Sequence, residues 1–64
     1  MKRIDFIKHI TRQGCIFVRE GSKHSVYFNP IFNKSSTVPR HKEIDNLLVK
    51  KISGDLGIIM PNKK

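Results

Sequence analysis

One histidine, His24, follows a short polar connection, Gly21-Ser22-Lys23, and opens a run of alternating apolar residues. Histidine suits proton transfer because its ordinary pKa near 6.5 lets both protonation states exist at cellular pH. RNA cleavage needs this kind of help. A base takes the 2′-hydroxyl proton, the oxygen attacks the adjacent phosphate, and an acid protonates the leaving oxygen. Cationic donors stabilise the charge that gathers on the phosphate oxygens. His24 is the candidate catalyst, while Lys23, Arg19 and Arg40 could supply the charge and Ser22 a hydroxyl contact. On residues alone, a lone histidine at the start of a strand is more often a surface residue than a catalyst. His41 reads as a turn or helix-entry residue, and His9 as a solvated position on a polar helix face.

The other chemistries are poorly supplied. Cys15 is the only cysteine, which excludes a disulfide within the chain. Cys15, His9, His24 and His41 show none of the short ligand spacings of zinc sites, so no cofactor is expected. Thirteen Lys and Arg against five Asp and Glu leave a formal charge of +8 on 64 residues. That charge predicts attraction to polyanions: nucleic acid, an acidic protein or an anionic surface. No apolar run approaches the roughly 20 residues of a membrane span, so no membrane partner is expected. The start Met1-Lys2-Arg3-Ile4-Asp5 lacks the apolar core of a signal peptide, and a reduced cytoplasmic setting is the expectation.

The elements that must position these residues follow from periodicity. Residues 3–13 read as a helix with Ile4, Ile7, Ile10 and Phe6 in one stripe, ended by Gly14. Cys15 to Arg19 reads as a strand, Glu20 to Lys23 as a hairpin connection, and His24 to Asn29 as a second strand. In that second strand His24, Val26 and Phe28 share one face, with Ser25 and Tyr27 on the other. Pro30 to Lys34 makes a turn in which Asn33 tolerates unusual dihedrals. Ser35 to Val38 forms a third strand closed by Pro39. A second helix spans Asp45 to Leu56, capped by Asp45 or Asn46 and stopped by Gly57. Its stripe is Ile44, Leu48 and Ile52, flanked by Leu47 and Leu56, and Gly54 weakens its last turn. The chain from Ile58 onward is expected to be mobile. The order predicts an α+β fold in which both helices cover one face of a three-stranded antiparallel meander and leave the other face open.

Gly21-Ser22-Lys23-His24 and an apolar strand, then Val38-Pro39-Arg40-His41, then a helix ending Asp55-Leu56-Gly57-Ile58, resemble the HicA family of toxins from toxin–antitoxin systems. The similarity runs from about Arg3 to Ile58 in the same order of elements. The resemblance implies an α-β-β-β-α fold like that of double-stranded-RNA-binding domains, occupying residues 1–60 before a flexible basic tail at 61–64. It implies a metal-independent ribonuclease that cleaves messenger RNA, with His24 at the position of the family's active histidine. Arg40 and His41 match the family's Pro-Arg-His segment. The implied partner is a HicB-like antitoxin, through which any oligomer would form. Lys23 lies between Ser22 and His24, where many members have histidine directly after serine. A one-residue change flips a strand's facing, so the loop must absorb Lys23 for His24 to present its ring to RNA. A non-catalytic RNA-binding module of the same fold is the alternative reading. A domain that meets only an acidic protein is a third.

Overall fold

The computed structural model describes residues 1–61 and orders them as α1 (Arg3–Arg12), β1 (Ile16–Glu20), β2 (His24–Asn29), β3 (Lys34–Pro39) and α2 (Asn46–Leu56). The three strands form one antiparallel sheet in the order β1-β2-β3. Phe6 and Ile10 from α1, Tyr27 and Val38 from the sheet, and Val49, Ile52 and Leu56 from α2 share a single buried cluster with Cys15 and Ile44. Both helices therefore lie on the sheet face that carries Tyr27 and Val38. Val26 and Phe28, on the other face, take no part in that cluster. This is the expected architecture.

Packing, more than intrinsic propensity, makes α1 a helix. Four of its ten residues are β-branched, and such residues lose side-chain freedom in a helix. Burying Phe6 and Ile10, one turn apart, contributes on the order of 1.5–3 kcal/mol for each side chain. The expected stripe is corrected in detail: Ile4 is 63% exposed, because the sheet meets the face centred on Phe6 and Ile10. Ile7 packs at the margin of the core. The same rotation applies to α2. Its buried face is Val49, Ile52, Ser53 and Leu56, Leu48 is only partly buried, and Leu47 is 76% exposed.

The ends of the elements follow local chemistry. Gly57 ends α2 in the left-handed region at φ 71°, where a Cβ would be strained. Asp45 occupies the N-cap of α2, but its carboxylate makes no capping hydrogen bond. Asn33 adopts φ 55° in the β2–β3 turn. Asn29 is fully buried between that turn and α2. Its Nδ2 donates to the Leu56 carbonyl at 2.7 Å, and its Oδ1 accepts from the Ile31 N–H at 3.0 Å. After α2 the Ile58 N–H donates to the Ser53 carbonyl at 3.0 Å and Ile58 packs against the core, so the chain here is held more firmly than expected. Of the expected basic tail, residues 62–64 lie outside the described residues.

One irregularity matters for the site. β1 pairs Ile16 with Phe28 and Phe17 with Tyr27, then shifts register so that Arg19 faces Val26 and Glu20 faces Ser25. Val18 is the extra residue of this bulge.

Candidate functional site

The β1–β2 hairpin closes on the Glu20–Ser25 pair, leaving a half-buried Gly21 and the exposed Ser22 and Lys23 as the tip. The Gly21 N–H donates to the His24 carbonyl at 2.7 Å. A Cβ at position 21 would stand 3.1 Å from that same oxygen, so glycine lets the backbone close this bond. Lys23 is absorbed in the loop, and β2 begins at His24 with the alternation intact. His24 therefore shares the open face with Val26 and Phe28, and its side chain is exposed.

Cross-strand partners place Arg19 and Thr37 beside Val26 on the same face, and Ile16 and Ser35 beside Phe28. Arg19 is thus diagonal to His24, within reach for a long side chain. The open face combines an apolar floor with a histidine and an arginine at the hairpin end. A bound phosphodiester there would meet a proton-transfer group and a cation together.

Arg40 lies elsewhere. Its Nη1 donates to Glu20 Oε2 at 2.6 Å and approaches the Gly21 carbonyl at 3.5 Å, on the helix side of the sheet. Of the residues expected to gather around RNA, His24 and Arg19 share a face, Ser22 and Lys23 form the tip, and Arg40 sits behind.

Behind the hairpin is a hydrogen-bonded group that sequence reasoning missed. Ser25 Oγ donates to the Glu20 carboxylate at 3.0 and 3.1 Å. Arg3, from α1, donates through Nη2 to Ser25 Oγ and through Nε to the Pro39 carbonyl, both at 2.8 Å. The Ser25 hydroxyl, and then the Arg40 and Arg3 guanidiniums, hold the Glu20 carboxyl below its ordinary value, outweighing an opposing desolvation. The partial signal was the polar Ser25 on an otherwise core-facing strand position. His9 also finds a partner: its Nε2 lies 2.9 Å from the Ile59 carbonyl. Among the described residues no three His, Cys, Asp or Glu side chains cluster as a metal site, and no helix is long and apolar enough to cross a membrane.

A family model described as the HicA toxin of bacterial toxin–antitoxin systems matches residues 4–58. No curated protein and no solved structure matches the chain.

Proposed function

The chain belongs to the HicA toxin family of bacterial toxin–antitoxin systems, and we propose that it acts there as a metal-independent RNA endonuclease that cleaves messenger RNA and slows translation. His24 is its general acid or base. Arg19, Lys23 and Ser22 hold the phosphates around the scissile bond, and Arg40 adds charge from the rim.

The observation that carries this reading is the placement of His24 on the uncovered sheet face, at the hairpin mouth, with Arg19 on the same side. An exposed imidazole on the same face as a guanidinium can move a proton at the 2′-hydroxyl or the leaving oxygen while the cation offsets the phosphate charge. Family membership implies an antitoxin partner. We assign that partner to the HicB type, in a cytoplasmic system.

Induced expression of the parental and His24→Ala chains tests the reading, followed by growth and RNA-integrity measurements. Purified proteins are then assayed on RNA with a chelator present. The parental chain should arrest growth and cleave despite the chelator. His24→Ala should lose about 10²–10⁴-fold in cleavage rate with folding unchanged. A variant that cuts RNA at the parental rate removes His24 from the mechanism. A parental chain that binds RNA without cutting it shows a non-catalytic module.

A further inference from the structure

We infer that Arg3, Ser25, Glu20 and Arg40 form a clamp that positions His24 for the reaction from the opposite side of the sheet. None of the four shares the histidine's face, so they act through the backbone; the inference rests on the ribonuclease reading above.

His24 sits at the end of the sheet. It is the first residue of β2, and its cross-strand partner is Pro39, whose carbonyl points off the outer edge of β3 and accepts from Arg3. Beyond it lies a three-residue loop whose Ser22 and Lys23 are exposed. Across the loop the Gly21 N–H donates to the His24 carbonyl.

The clamp adds side-chain bonds to this end of the sheet. One guanidinium, Arg3, grips the Pro39 carbonyl with Nε and the Ser25 hydroxyl with Nη2. It thereby joins the residue opposite His24 to the residue next to it. Ser25 passes the connection to Glu20 at the end of β1, and Glu20 passes it to Arg40, which reaches the Gly21 carbonyl. The chain of bonds encircles the hairpin base and ties it to α1. Ser25 is buried, so water is a poor replacement for its hydroxyl partners. A group that must meet a reacting oxygen tolerates little displacement, and a misplacement of about 1 Å can cost on the order of 10²-fold in rate.

The test uses Ser25→Ala and Glu20→Gln beside the parental protein and His24→Ala. Three quantities are measured for each: kcat and KM for RNA cleavage, hydrogen exchange of the Gly21 amide, and far-UV circular dichroism. Both clamp variants should keep the spectrum and KM within about twofold, lose about tenfold or more in kcat, and exchange the Gly21 amide faster. Arg3→Lys should behave likewise, since one ammonium cannot span both acceptors as the fork does. A fall in kcat with Gly21 exchange unchanged overturns the clamp, as does faster exchange with kcat unchanged. Should one variant lose the native spectrum, the other two decide. A parental chain that does not cleave RNA defeats the ribonuclease reading and with it the positioning role, while faster Gly21 exchange in the variants would then show only that these residues hold the hairpin.

Discussion

Glu20 is a residue through which pH acts on folding. Its carboxyl is held below the ordinary value of 4.5, first by the Ser25 hydroxyl and then by Arg40. A group whose folded pKa is lowered adds stability above its unfolded pKa, and that stability is lost as pH falls through the folded value. The parental protein should therefore be more stable than Glu20→Gln at neutral pH, and the gap should close as the solution is acidified below about pH 4.5. Urea denaturation midpoints of the two proteins at neutral and acid pH check this. A gap that stays constant across the range would show that the charge on Glu20 contributes nothing to folding.

At the scale of elements, α2 carries two residues that work against it. Gly54 lies within the helix, exposed, and a Cβ there would meet nothing within 4 Å. Gly54→Ala should raise stability by about 0.5–1 kcal/mol, or on the order of 2–8 °C in Tm for a domain of this size, read by thermal melting. Ser53 is buried with a hydroxyl that finds no hydrogen-bond partner among the described residues. The sequence shows the elements clearly because their signals are local. The alternation from His24 to Asn29, the turn at Asn33 and the stop at Gly57 all depend on neighbouring residues. Which part of each apolar stripe meets the sheet is decided between elements. Ile4 and Leu47 therefore read as core residues and are exposed. The clamp was hidden for the same reason, since Arg3 reaches partners 22 and 36 residues away. The histidine was visible in the sequence, and its support was not.

For the whole molecule the governing quantity is the charge of +8. On the ribonuclease reading, binding to single-stranded RNA through Arg19 and Lys23 should weaken with salt at about 0.7 logarithmic units per phosphate contact. Two contacts then give on the order of a sevenfold loss between about 50 and 200 mM salt. Fluorescence anisotropy with the His24→Ala protein measures this without cleavage. Lys23→Gln should flatten the slope by about 0.7. An affinity indifferent to salt would deny a backbone-binding role to these cations. It would favour a surface built for an acidic protein.

The bulge at Val18 settles which sign of charge His24 meets. Counted along a regular ladder from the Phe17–Tyr27 pair, Val18 would oppose Val26, Arg19 would oppose Ser25, and Glu20 would oppose His24. Arg19 would then lie under the helices, with an acid beside the histidine. The extra residue changes an even count to an odd one and exchanges the two. Removing Val18 would leave both charges on their present faces, because Arg19 would still oppose Val26. Straightening the strand with Val18 retained would reverse them. The polarity of the open face thus rests on parity, set by a residue that carries no charge.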